Sequence, residues 1–251
     1  MGGYSMSDNK ENVLEKKSSR RSFLKNSGLT VGGLVLGGSI GSLFTKRSEV
    51  EAPVTITTDS GHHVDFTEAL QFFRRKTDFE AISAAMDVIY PEDENGPGAV
   101  ILGAPYYLDK QLAGPWGMNA DDYRKAPFQP GEVALNNGEI FITGARALND
   151  VAKSEHGANF NTLNEEQRIA ILQKFEAGEV TMNLVPSQMF FTLLRTTTLQ
   201  GCFCDPLYGG NKNMAGWRMK EFPGAQMSYL AYAEEEEFLK IEPISVGGHK
   251  H

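Results

Sequence analysis

An uncharged apolar run at residues 28–44 follows an arginine pair near the start of the chain. This pattern indicates that the segment is not part of the folded domain. A basic region followed by an apolar region is typical of a targeting segment, which does not fold with the mature domain. The pair and the residues after it are typical of a twin-arginine export signal. The residues that carry this prediction are Arg20, Arg21, Phe23, Leu24 and Lys25. The alternative is a chance arginine pair in front of a buried helix.

The predicted signal places the rest of the chain in the periplasm. The apolar run is rich in glycine, which disfavours a stable membrane helix. No Ala-x-Ala cleavage site follows it; the next residues are Thr45-Lys46-Arg47-Ser48. The sequence therefore leaves open whether the signal is cleaved near Ser48 or kept as a weak membrane tether.

The charge of the chain limits its partners. The whole chain has a formal charge of −8, and residues 1–47 contain eight Lys or Arg and three Asp or Glu, so the remainder carries −13. Nucleic-acid binding requires clustered Lys and Arg, so we expect no nucleic-acid partner. Two cysteines are too few for a disulfide framework in an exported protein.

The pattern along the chain predicts four segments. These are a signal at 1–47, a linker at 48–64, a helical domain at 65–240 and a tail at 241–251. About 200 residues follow the signal, enough for one domain with its own core. Alternating strand patterns are few, so the predicted fold is mainly α, a single helical domain with long loops rich in Gly and Pro.

Apolar spacing and capping residues predict the helices of the first half. A helical stretch at 66–75 precedes a helix opened by a capping box of Thr77 and Glu80 and stopped by Pro91. The next helices are predicted at 99–112 and 134–151.

Two further helices are predicted in the second half. One is opened by Asn164 as N-cap with Gln167 three residues on, and ends at Gly178. The other runs over 189–199, with Ser187 at its start and Gly201 closing it. The acidic run 234–237 is predicted as a solvated, exposed helix face.

The chemistry-bearing motifs of independent enzymes are missing from the sequence. It contains no dinucleotide fingerprint between a strand and a helix, no Cys-x-x-Cys-His haem motif and no His-Glu-x-x-His zinc motif. We therefore assign no catalytic, cofactor-binding or metal-binding residue to this chain.

Cys202 and Cys204 flank Phe203 and admit two interpretations. They are either half-buried thiols or a source of a disulfide to a partner chain, since an unpaired cysteine in an exported protein favours intermolecular pairing. A bond between the two themselves is awkward, because a disulfide needs a particular approach of the Cβ atoms.

The segment 201–217 is the densest in turn-forming and aromatic residues. Gly209-Gly210-Asn211 requires backbone angles that few other residues tolerate, and Asp205-Pro206 favours a turn. A rigid loop of this kind suits a structured connection packed on the core. It suits equally an interface in which aromatic side chains supply contact area.

This segment and the residues just after it form a distinctive motif, made of Gly201, Phe203, Asp205, Pro206, Tyr208, Gly209, Gly210, Asn211, Gly216, Trp217, Pro223 and Gly224. The motif resembles the signature of the gluconate 2-dehydrogenase subunit 3 family. Upstream, Ile89-Tyr90-Pro91, Asp93 and Gly96-Pro97-Gly98-Ala99 match the amino-terminal half of the family pattern. The resemblance covers roughly residues 66–233, but it gives no position to Cys202 or Cys204.

The resemblance implies an accessory small subunit of a membrane-bound, flavin-dependent sugar or sugar-acid dehydrogenase. In such complexes a large subunit binds FAD and oxidises the substrate, and a multihaem cytochrome c passes the electrons to quinone. The large subunit often lacks an export signal, so the small subunit carries it through the twin-arginine translocase. The 201–217 loop then forms part of the contact or the scaffold that shapes it.

The sequence is also compatible with two rival functions. In the first, Asp205 or Tyr208 contributes to a sugar-oxidising site. In the second, the chain is a stand-alone periplasmic module in which Trp217 and Tyr208 stack on a sugar.

Overall fold

Helices whose apolar residues recur every three to four positions build the domain around two central members. The computed structural model describes residues 68–123, 126–129 and 132–248. Its helices are α1 (Lys76–Ile89), α2 (Ala104–Ala113), α3 (Asn137–His156), α4 (Glu165–Ala177), α5 (Ser187–Phe203) and the short α6 (Ala215–Met219). Short 3-10 helices lie at Phe160–Thr162, Pro206–Tyr208, Lys212–Met214, Leu230–Tyr232 and Val246–Gly248.

Helices α1 and α5 form the centre, and each of them packs against α2, α3 and α4. Among the largest fully buried side chains are aromatic rings from α3, α4 and α5, which meet in the core. Phe190 lies 5.8 Å from Phe141 and 5.7 Å from Phe175, measured between ring centroids. All three rings are fully buried. Edge-on aromatic contacts of this kind stabilise a core beyond their buried area.

The capping residues of α4 match the prediction. Asn164 accepts a hydrogen bond from Gln167 N, and the Gln167 side chain accepts one from Asn164 N. Gly178 ends the helix in the left-handed region at φ 78°. A second capping box, between Asn136 and Glu139, opens α3, so this helix begins and ends later than the predicted 134–151.

The predicted capping box at Thr77 and Glu80 is wrong. Helix α1 begins at Lys76, and its N-cap is Arg75, whose side chain makes no capping bond. Thr77 therefore lies inside the first turn, where its own N–H is one of the helix's open donors rather than a cap. The predicted stop is confirmed, because α1 ends at Ile89, shortly before Pro91.

The predicted helix at 66–75 is also wrong over the part described, because residues 68–75 are not helical. Backbone N–H groups in this stretch instead donate hydrogen bonds to one side chain on α2. Asp109 is fully buried and accepts hydrogen bonds from Gln71 N (2.5 Å), Phe72 N (3.1 Å) and Phe73 N (2.9 Å). A carboxyl group that collects three N–H donors offers the backbone an alternative to the helical ladder.

The predicted boundaries of α2 and α5 differ from those in the structure, where the two helices contact each other. Residues 99–103 form turns, so α2 begins at Ala104 rather than residue 99. Gly201 does not close α5, which continues to Phe203. A Cβ at Gly201 would lie 2.8 Å from Ala104 Cα, so glycine here permits α5 to contact α2.

The mainly α prediction is confirmed, and the described ranges contain no named strand. None of the helices in these ranges combines the length and the apolar character that a membrane span requires. The predicted signal, with Arg20, Arg21, Phe23, Leu24 and Lys25, and the predicted linker at 48–64 lie outside the described residues.

Candidate functional site

The 201–217 loop doubles back on the end of α5. It leaves the helix at Phe203, makes the 3-10 turn Pro206–Tyr208, and returns so that Asn211 N donates to Gly201 O at 2.8 Å. It then enters α6 through a second 3-10 turn. The loop is therefore closed on itself at its base by a backbone hydrogen bond.

Asn211 is the buried centre of this loop. Its side chain has no exposed area, and its backbone lies in the left-handed region at φ 44°. Nδ2 donates to Cys204 O and Oδ1 accepts from Gly216 N, both at 2.8 Å. One amide thus joins the start of the loop to the beginning of α6, and asparagine tolerates the left-handed conformation better than most residues.

Two glycines allow the returning loop to pack closely against the end of α5. A Cβ at Gly210 would lie 2.2 Å from Gly201 O, and a Cβ at Gly216 would lie 2.1 Å from Cys202 O. No side chain fits at either position without displacing the backbone. These glycines therefore serve close packing inside the loop.

Trp217 faces the interior. Its Nε1 donates to Phe203 O at 2.7 Å, its ring lies edge-on to Phe222, and only 7% of the residue is exposed. Stacking on a sugar requires an exposed aromatic face, which this ring does not offer. Tyr208, by contrast, is 54% exposed.

Asp205 binds the carboxyl-terminal part of the chain. Oδ1 accepts from Leu207 N (2.9 Å) and Ser245 Oγ (2.6 Å), and Oδ2 accepts from Val246 N (2.8 Å). Burial raises the pKa of Asp205, but these hydrogen bonds outweigh it and hold that pKa below its usual value. A carboxylate with a lowered pKa and engaged oxygens is poorly suited to act as a general base. Residues 244–246, part of the predicted tail, thus pack on the domain.

The upstream motif of the sequence lies against the same loop. Tyr90 packs edge-on against Phe203 with ring centroids 5.7 Å apart, and Lys212 N donates to Leu102 O at 3.0 Å. Ala99 N donates back to Tyr90 O at 2.7 Å. Two stretches more than a hundred residues apart therefore form one structural unit.

A cleft of about 420 Å³ opens between α2 and the end of α5. It is lined by Tyr107, Gln111, Gln200, Phe203, Cys204, Asp205 and Tyr208. Burial raises the pKa of Tyr107, and Cys204 and Tyr208 add to this rise. At neutral pH the cleft therefore presents the protonated phenol of Tyr107 and the amides of Gln111 and Gln200 beside the Asp205 carboxylate, whose oxygens are engaged by Leu207, Ser245 and Val246.

The two cysteines differ in environment. Cys202 is fully buried on α5, whereas Cys204 is half-buried at the cleft, and both are thiols. Burial raises the pKa of the Cys204 thiol to about 11, and Asp205 adds to the rise, while a hydrogen bond with the Gly210 backbone opposes it. The thiolate is the reactive form, so Cys204 is a slow nucleophile. The disulfide to a partner chain stays a prediction, and Cys204 is the more accessible of the two candidates.

We expect native Cys204 to react with iodoacetamide at pH 8 roughly tenfold more slowly than an ordinary thiol, because its raised pKa leaves a smaller fraction of thiolate, an effect that the greater nucleophilicity of that thiolate only partly offsets. Mass spectrometry of timed samples measures the rate, and Cys204→Ser assigns the signal. In denaturant both cysteines should react at the ordinary rate. Rapid labelling of native Cys204 would contradict the burial argument.

The described residues contain no group of three or more His, Cys, Asp or Glu placed to hold a metal ion. The sequence identified the loop residues but missed the groups that the loop engages. Tyr107 and Ser245 lie far from the loop in sequence, and only the tertiary fold brings them to Cys204 and Asp205.

The family model described as Gluconate 2-dehydrogenase subunit 3 matches residues 76–224 of the chain. These bounds enclose α1 to α6, the 201–217 loop and the upstream motif. Comparison with curated proteins and with solved structures found no match.

Proposed function

The chain belongs to the gluconate 2-dehydrogenase subunit 3 family, and we propose that it escorts the FAD-binding subunit of its complex across the inner membrane. Family membership makes it an accessory subunit of a gluconate 2-dehydrogenase-type complex, in association with a larger dehydrogenase subunit. The proposal adds export by the twin-arginine route, stabilisation of the flavoprotein, and a periplasmic, membrane-associated location.

The observation that carries the proposal is the joining of two parts in one chain: the arginine-pair leader around Arg20 and Arg21, and a subunit 3 domain. The twin-arginine leader is an address read by a receptor rather than an anchor. The signal of a chain that binds a folded flavoprotein can therefore direct the export of both chains.

The geometry of the loop supports an accessory role over a catalytic one. The Asp205 carboxylate is engaged by three donors, and the Trp217 ring is buried. In the proposed complex FAD and the oxidation of a sugar or sugar acid belong to the large subunit. A multihaem cytochrome c subunit receives the electrons.

The export test changes Arg20 and Arg21 together to Lys in cells that also produce the FAD-binding subunit. We expect periplasmic flavoprotein to fall at least tenfold, because the translocase receptor reads the arginine pair rather than its charge. Immunoblots of periplasmic and cytoplasmic fractions measure the distribution. The matched control is Arg74→Lys with Arg75→Lys, an exposed arginine pair within the described domain, which should leave export unchanged.

Two results would contradict the escort function. One is a flavoprotein that reaches the periplasm in full amount in the double variant or in cells without this chain. The other is reduction of an electron-accepting dye by the isolated chain with gluconate, glucose or fructose, which would make the chain itself catalytic.

A further inference from the structure

Residues 227–240 form an exposed arm at the carboxyl-terminal side of the domain. Every residue in this range is exposed, and the predicted helix face at 234–237 is wrong because those four glutamates lie in a turn, a bend and irregular backbone. Six large apolar or aromatic side chains reach solvent along the arm: Met227 (87% exposed), Tyr229, Leu230 (85%), Tyr232, Phe238 (78%) and Leu239. Contiguous exposed apolar groups of this size mark interaction sites.

The arm is held at both ends. At its base, Ala225 N donates to Ile244 O at 2.8 Å and Ile244 N donates to Pro223 O at 3.2 Å. Asp205 then fixes Ser245 and Val246. Both ends of the arm are thus attached to the domain. Because its base is fixed, the arm loses less conformational entropy when it binds a partner.

The apolar side chains of the arm are not used in the core. The backbone bonds of the arm are local turns, such as Tyr232 N to Tyr229 O and Glu235 N to Tyr232 O. Lys240 pairs with Glu221, beside the base. From the usual area of such side chains, the six exposed groups offer roughly 600 Å² of contact surface, which approaches one side of a standard protein interface.

The charge of the arm indicates the kind of partner. Residues 227–240 contain Glu234, Glu235, Glu236 and Glu237 against one Lys240, a formal charge of −3. Anionic lipid surfaces attract basic segments and repel this one. An apolar protein groove bordered by Lys and Arg complements both the side chains and the charge.

We propose that residues 227–240 are the docking arm for the larger dehydrogenase subunit, with the apolar side chains in a groove of that subunit and the glutamates against its basic border. Family membership supplies a larger subunit as the occupant. The inference rests on the proposed function, because the same contact would hold the two chains together during export.

The test co-expresses the full chain, tagged at its carboxyl terminus, with the FAD-binding subunit of its complex. Flavin absorbance and immunoblotting measure how much of that subunit co-purifies. Leu230→Ser with Phe238→Ser should reduce it at least tenfold, and Glu234→Lys with Glu236→Lys should reduce it several-fold. The matched control is Met118→Ser with Ile101→Ser, two exposed side chains distant from the arm in sequence, which should change it by less than twofold.

A photo-crosslinking residue at position 230 or 238 supplies an independent readout, since it needs no loss of binding. We expect a crosslink to the FAD-binding subunit from both positions and none from position 118. A crosslink within this chain alone, or binding of the arm to vesicles of anionic phospholipid instead of the flavoprotein, would overturn the inference.

The outcomes separate this inference from the proposed function. If the arm variants bind the flavoprotein like the wild type while its export still depends on Arg20 and Arg21, the arm inference fails and the escort function stands. If the wild-type chain binds no flavoprotein, both fail. A fall in the thermal stability of the isolated chain in the arm variants would show that the arm packs within the chain and would also overturn the inference.

Discussion

Replacing Asn211 with alanine is expected to lower the free energy of unfolding by about 4 kcal/mol, because three costs coincide at one buried residue. Two are the lost hydrogen bonds from Nδ2 to Cys204 O and from Gly216 N to Oδ1. They leave buried backbone groups without partners, at about 1–3 kcal/mol each. The third is the left-handed backbone at φ 44°, which costs alanine roughly 1–2 kcal/mol.

Two further variants separate these costs. Asn213→Ala is the matched control, since Asn213 lies in the same loop at φ 55° but is exposed, and it should lose only about 1 kcal/mol from backbone strain. Asn211→Gly removes the strain but keeps the loss of both bonds, so it should fall between the two. Urea unfolding followed by circular dichroism measures all three. Equal effects of the changes at 211 and 213 would show that the side-chain bonds of Asn211 contribute nothing.

The helix ends that sequence predicts correctly are those set by local chemistry. Asn164, Gln167 and Gly178 satisfy backbone groups within a few residues of themselves, so their pattern is complete in the sequence. Gly201 has the same local appearance as Gly178 but a different role, because its missing Cβ makes room for Ala104 on α2. Such a role depends on a contact between helices, which no local pattern contains.

The loop residues were identified by type, but their roles could not be derived from sequence. An aspartate such as Asp205 can serve in a catalytic site or in a structural one. Only its hydrogen bonds to Ser245 and Val246 identify the structural role here. Trp217 likewise suits an exposed contact or a buried one until its burial is known.

The structure relates the family motif to the exposed arm. Asn211 and the loop glycines shape a rigid unit, and Asp205 on that unit fixes the returning chain at Ser245. The residues of the family motif are therefore largely buried. The exposed surface that they support is the arm at residues 227–240, which follows the motif in the chain.

The second large effect is expected at Asp109, where alanine should lower the free energy of unfolding by about 4 kcal/mol or detach residues 71–73 from the domain. Asp109 is fully buried, and it accepts from three successive backbone N–H groups. Each buried N–H group left without its acceptor costs about 1–3 kcal/mol. No local pattern reveals this role, since the donors precede Asp109 by 36 to 38 residues.

Asp109→Asn provides the graded comparison. It keeps Oδ1 as acceptor for Phe72 and Phe73 but places an NH₂ donor against Gln71 N, so it should lose about half as much stability. The matched control is Asp150→Ala, an exposed aspartate on α3, which should change stability by no more than about 0.5 kcal/mol. Urea unfolding measures the global effect, and hydrogen exchange at residues 71–73 measures the local one. Retained protection of these amides in Asp109→Ala would show that packing of Phe73, rather than the carboxyl group, holds the segment in place.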